Sequence, residues 1–186
     1  MNLLTVINQV KTLAPALGNR VAGAADFASG LETTQNMTLP AAFVLRLSDD
    51  ASDSDLMPGL HQPVVERMGI VVEFDNTVAS DADARTGFAG INQIDAMRAL
   101  LFSAVLNWTP ADMTNAGPTG FRYGGGRLLE FDRARLFWQY EFEIDTIITD
   151  ADGVGLYGDP IITGVGTIQP HANPHIGPAI TIDFTV

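Results

Sequence analysis

The stretch RLFWQYEFEIDTII, residues 135–148, decides how this chain folds. Leu136, Trp138, Tyr140, Phe142 and Ile144 alternate there with Gln139, Glu141, Glu143 and Asp145. A period of two sends successive side chains to opposite faces of a strand, so one face is apolar and the other polar and acidic. The apolar face builds a core; the polar one is left for solvent or a partner. Phe137 breaks the rule by putting a large ring on the polar side, which makes it a candidate interface residue. Residues 127–131 read as a second strand, joined to the first around Asp132-Arg133 as an antiparallel pair. Gly124-Gly125-Gly126 in front of it suits a tight turn. A phosphate cradle would need a following Lys-Ser or Lys-Thr and then a helix, and neither is there.

Moving outward, residues 64–75 alternate again, with Met68, Ile70, Val72 and Phe74 predicted inward and Val65, Arg67, Val71 and Glu73 outward. Residues 39–47 form another strand, with Ala41, Phe43, Leu45 and Leu47 on one face and Arg46 on the other. Between these strands the run DDASDSDLMPGLHQ, 49–62, is predicted to be an acidic loop, and 76–90 a second one. Asp49, Asp50, Asp53, Asp55, Asp81 and Asp83 in these loops are candidates for meeting a partner. Two main helices are expected. The first covers 3–13, with Leu3, Ile7, Val10 and Ala14 on one face and Pro15 and Gly18 ending it; the second runs along Ile94, Met97, Leu101, Val105 and Trp108 to about Pro110. A short helix at 22–31, with Phe27 and Leu31 inward, is a smaller expectation. Residues 150–186 turn Gly/Pro-rich and read as a β-rich hairpin and terminal strand.

The chain has 186 residues, 22 Asp+Glu against 10 Lys+Arg, a formal charge of -12 and no cysteine. Its length suits one domain of roughly 100 to 200 residues with a sizeable core. Lack of cysteine excludes disulfides, thiol catalysis and cysteine-ligated zinc. So acidic a chain offers no general surface for releasing counterions from nucleic acid. The N-terminus has no basic start followed by an apolar run, and no stretch approaches ~20 apolar residues, so a soluble protein made in a cytoplasm is expected, with no membrane partner.

No catalytic residue stands out. His171 and His175 flank a proline-broken loop and lack further zinc ligands. Asp150-Ala151-Asp152-Gly153 opens like a calcium loop but lacks the downstream Glu. There is no Gly-x-Ser-x-Gly elbow, and Glu141 and Glu143 lie on a solvent face rather than in a cleft. No metal site and no cofactor are therefore assigned.

Several runs in order resemble the tail terminator proteins of long-tailed bacteriophages: Val21-Ala22-Gly23-Ala24-Ala25-Asp26-Phe27, Leu39-Pro40-Ala41-Ala42-Phe43-Val44-Leu45, Leu106-Asn107-Trp108, and Gly126-Arg127-Leu128-Leu129 followed by Leu136-Phe137-Trp138-Gln139-Tyr140. The likeness spans roughly residues 1–148. It implies a small α+β protein with an antiparallel or mixed sheet against two main helices. With it goes a division into a tail-terminator-like 1–148 and a β-rich C-terminal extension, 149–186, of the same domain. It also implies a virion protein, assembled in the host bacterial cytoplasm, that forms a closed ring, commonly a hexamer, at the head-proximal end of the tail tube. Such a ring stops tube polymerisation and docks the head-completion or neck protein, without catalysis, while DNA passes through the lumen without specific binding. Closure needs two different patches that meet head to tail. Arg46 and Arg67 against Glu141 and Glu143, with Phe137, are the candidate patches, although the charges equally suit cross-strand pairs within one subunit. Acidic loops turned inward would give a lumen that repels phosphate. The alternatives are another neck or tail-tube subunit, or a carboxylate-based enzyme or small-ligand module.

Overall fold

The alternation of residues 135–148 is realised in one five-stranded sheet. The computed structural model describes residues 1–24, 27, 38–54, 59–77, 88–131 and 134–152. The strands are β1 (Val21–Ala22), β2 (Ala41–Ala51), β3 (His61–Asp75), β4 (Arg122–Phe131) and β5 (Arg135–Thr149), arranged β1-β2-β3-β5-β4. The β1–β2 pair is parallel and every other pair antiparallel, which makes the sheet mixed and the fold α+β.

Helix α1 (Leu3–Leu13) forms as expected because Asn2 supplies the cap: its side-chain oxygen accepts the Leu4 N–H at 3.0 Å. Val6, Val10 and Ala14 are buried, and Pro15 then starts a 3-10 turn, Pro15–Leu17, that Gly18 closes at φ 56. Helix α2 (Phe88–Val105) buries Ile94, Met97, Leu101, Ala104 and Val105. It stops before the predicted Pro110. Asn107 adopts φ 60 and reverses the chain, after which the Asn107 N–H donates to the Phe121 carbonyl (2.9 Å) and the Phe121 N–H to that of Trp108 (3.0 Å). Trp108 therefore stacks on Phe121 instead of continuing the helical stripe.

Both helices cover one sheet face. Val6, Val10, Met97 and Leu101 meet Met68, Ile70, Val72, Phe74, Leu136, Tyr140, Phe142 and Ile144 in a single core. Each fully buried residue of this size contributes about 1.5–3 kcal/mol of transfer free energy. Two polar contacts fix the packing: the Gln9 amide donates to the Ala104 carbonyl (3.1 Å), tying α1 to α2, and the Tyr140 hydroxyl donates to the Ile94 carbonyl (2.7 Å). Burial pushes the Tyr140 hydroxyl far above its usual pKa, so it stays a donor at any physiological pH.

Four expectations need correction. First, the inward set of β2 is the reverse of that predicted: Ala42 and Val44 face the helices, whereas Ala41 and Phe43 join Val71 and Phe137 in a second apolar cluster on the other face, with Phe27 and Leu45 against it. Both faces are apolar at this end, so periodicity could not choose between them. Second, Asp49 and Asp50 are not in a loop but in β2, opposite Glu66 and Val65. Arg46 and Arg67 pair with them and offset the cost of placing carboxylates on a strand. Likewise His61 and Gln62 belong to β3. Third, the glycine run is inside β4, not before it. A Cβ on Gly126 would sit 2.6 Å from the Tyr123 hydroxyl and 2.8 Å from Trp138 Nε1, so the strand is glycine-rich to admit those rings. Fourth, Ala22, where the short 22–31 helix was expected to begin, belongs to strand β1, while Ala24 and Phe27 are helical as expected, with the Phe27 N–H donating to the Gly23 carbonyl. Leu31, and residues 78–87 of the second acidic loop, lie outside the described residues.

The chain divides into two units, Met1–Thr149 and Asp150–Val186. Of the second, a 3-10 turn at Asp150–Asp152 is described, so the β-rich extension expected there lies outside the described residues.

Candidate functional site

The face of the sheet away from the helices carries four of the five interface candidates singled out from the sequence. Arg67, Phe137, Glu141 and Glu143 are all on it, because they occupy odd positions in strands whose even positions fill the core. Arg46 is not. It lies on the helix-covered side at the sheet margin, where its guanidinium binds Asp49 and the largely buried Glu66, each at 2.9 Å. Glu66 also accepts from the Met1 amine at 3.2 Å.

On the open face the charges form a ladder across four strands. Asp50 of β2 pairs with Arg67 of β3; Arg67 Nε donates to Glu143 Oε1 of β5 at 2.8 Å; Arg122 Nε of β4 donates to the other Glu143 oxygen at 3.1 Å and also binds Asp145. Arg67 and Glu143 thus form a cross-strand pair within one subunit, one of the two arrangements the sequence left open. Beside it Arg127 approaches Glu141 at 3.5 Å, while the buried Gln139 donates to Glu141 at 2.7 Å. Arg135 covers the buried Glu73 at 2.6 Å.

Counting this face, Arg67, Arg122, Arg127 and Arg135 oppose Asp50, Glu73, Asp75, Glu130, Glu141, Glu143 and Asp145, which is four cations against seven anions. The face is net acidic by three and carries part of the excess of a chain of charge -12. At one end the charges give way to the cluster around Phe137, whose ring lies 6.4 Å from that of Phe27. Phe137 is buried within the chain itself, at 8% exposure, rather than presented outward. Of the acidic residues proposed for partner loops, Asp53 is exposed beyond the end of β2, and Asp55, Asp81 and Asp83 lie outside the described residues.

The Arg67 guanidinium, followed by that of Arg122, holds the Glu143 carboxyl below its ordinary value of 4.5. A carboxylate with a depressed folded pKa adds stability above its unfolded value and loses it as the pH falls through the folded one. We expect Glu143→Gln to cost about 1–2 kcal/mol at neutral pH, the lower part of the charged hydrogen-bond range, because both arginines are partly exposed and keep other acids. In urea titrations the gap between variant and wild type should narrow as pH drops below 4.5. A gap that is constant with pH would mean that the charge of Glu143 is not what matters.

Chemistry is sparse. No group of three or more His, Asp or Glu suited to a metal occurs among the described residues, and no described helix is long and apolar enough to cross a membrane. Sequence reasoning missed Arg122 as a ladder member because β4 was begun too late, at residue 127 rather than Arg122. It also missed three exposed leucines, Leu47 on β2 and Leu128 and Leu129 on β4. The adjacent pair Leu128-Leu129, which breaks strict alternation, was the available signal.

Residues 1–152 match the family model described as phage tail terminator protein. The chain belongs to this family. Tail terminator proteins are structural components of the bacteriophage tail, and this chain is accordingly a structural virion protein. The match takes in the whole Met1–Thr149 unit. No curated protein matches the chain. Among solved structures, a chain of the particle described as "Virion of native gene transfer agent (GTA) particle" is 15% identical, with 77% of this chain and 92% of that chain covered and a TM-score of 0.42.

Proposed function

We propose that this tail terminator protein closes into a ring on the head-proximal end of the tail tube, stops the addition of tube subunits and presents a docking surface to the head-completion protein. The observation that carries the reading is the family match over the entire helix-and-sheet unit. In keeping with it, Asp50, Arg67, Glu143, Arg122 and Asp145 on the open face hold one another in a ladder of ion pairs. The ring is commonly a hexamer in the family, and DNA crosses its lumen without being bound. Asp49 and Asp50 are neutralised by Arg46 and Arg67 and contribute little to a repelling field, so that role falls to Asp53, Asp55, Asp81 and Asp83.

Adding the purified protein to polymerising tube protein should arrest elongation, leaving short tubes that each carry a ring at one end in electron micrographs. Tubes that grow to the same length distribution with and without it would overturn the reading. Filaments formed by the protein alone would point instead to a tube subunit.

A further inference from the structure

A ring built by rotation needs two different surfaces on each subunit, and the sheet offers two on opposite sides. Strands β2, β3, β5 and β4 alternate in direction, so the terminal strands β2 and β4 run opposite ways. A rotation about an axis along the strands preserves direction, so β4 of one copy meets β2 of the next antiparallel. Strand β1 shields only the start of β2, at Ala42 and Phe43. Among the described residues no backbone hydrogen bond reaches the outer edge of β4, or that of β2 over residues 45–51.

Exposed edges are usually guarded by charges, proline or bulges. Both of these edges do bulge, β4 at Gly124 and again at Leu129 and β2 at Leu47, so that each edge has one bulge that inserts a leucine. Leu47 is 36% exposed and Leu129 41% exposed. Charge also matches. Strand β4 carries Arg122 and Arg127 against Glu130, a net +1, while residues 45–51 of β2 carry Asp49 and Asp50 against Arg46, a net -1.

We propose that the free edge of β4 pairs antiparallel with the free part of β2 in a second copy, so that the sheet continues from subunit to subunit. Unpaired amides supply the ladder and the two bulge leucines supply the apolar contact. The inference rests on the ring reading above and adds which strands close it.

Its test uses the full-length chain in two variants, Leu129→Arg and Leu47→Arg, whose folding is checked by circular dichroism and thermal melting. Each damages one edge and should raise the concentration for half-assembly at least about tenfold, the equivalent of losing one leucine contact. Each variant alone should stay monomeric at concentrations where wild type forms rings, in solution or on tube ends. Mixed together they should form discrete heterodimers, since each retains the edge the other lacks. Rings formed by both folded variants as readily as by wild type would overturn the edge pairing and leave the ring reading intact. If Leu47→Arg proves misfolded, Leu129→Arg mixed with wild type decides alone: it should truncate assemblies, and undiminished rings count against the pairing. Absence of wild-type rings, free or on tubes, would overturn the ring reading itself.

Discussion

Gly120→Ala should lower the stability of the tail terminator protein by about 3 kcal/mol, near the top of the range for overpacking. A Cβ at this buried position would lie 2.5 Å from the Asn107 carbonyl carbon and 2.6 Å from the carbonyl carbon and oxygen of Trp108. These are backbone atoms, so no rotamer change can make room. They are also held in place, since the hydrogen bonds between Asn107 and Phe121 and between Phe121 and Trp108 clamp the two segments on either side of Gly120. The methyl must either break that clamp or push the end of α2 off the sheet. At roughly 2–4 °C per kcal/mol for a chain of this size, the melting temperature should fall by about 6–12 °C. A variant that melts with the wild type would show that the crossing is loose, contrary to its hydrogen bonding.

Tyr140→Ala is expected to cost still more, about 3–5 kcal/mol, because it empties the middle of the core between α2 and the sheet. Tyr140→Phe separates the two contributions of the side chain. It keeps the ring but leaves the Ile94 carbonyl without its hydroxyl donor, and should cost about 1 kcal/mol. Urea unfolding of the pair measures both. If the phenylalanine variant loses as much as the alanine variant, the hydrogen bond rather than the ring anchors α2, and the account of the core given above is wrong.

The helices and the alternating strands were legible because each had a single buried face. Leu136 to Ile144 declared β5, and Val10 with Ala14 set the buried side of α1. Legibility failed where two effects competed at one position. Asp49 and Asp50 carry loop chemistry in isolation, and only Arg46 and Arg67, the latter on a different strand, make them strand residues. The three glycines suggest a turn until Trp138 and Tyr123 claim the space beside them. Ala41 to Val44 are apolar throughout, so the direction of β2's side chains depended on Phe27 and Phe137, which are distant in sequence. Of the candidate site, the clustering of Arg67, Glu141 and Glu143 was readable from the shared period, whereas the segregation of Arg46 to the other side required the register of β2 on β3.

The sheet is backed unevenly. Where Phe43, Val71 and Phe137 lie, apolar side chains press on it from both sides, as in a vice; toward Asp50, Arg67 and Asp145 the described residues form an apolar cluster against one side alone. Bending and fraying should therefore concentrate at the singly supported end, which also holds the bulge of β2. The molecule has a stiff half and a compliant half, and a neighbour that docks on the compliant half can draw it into shape without disturbing the other.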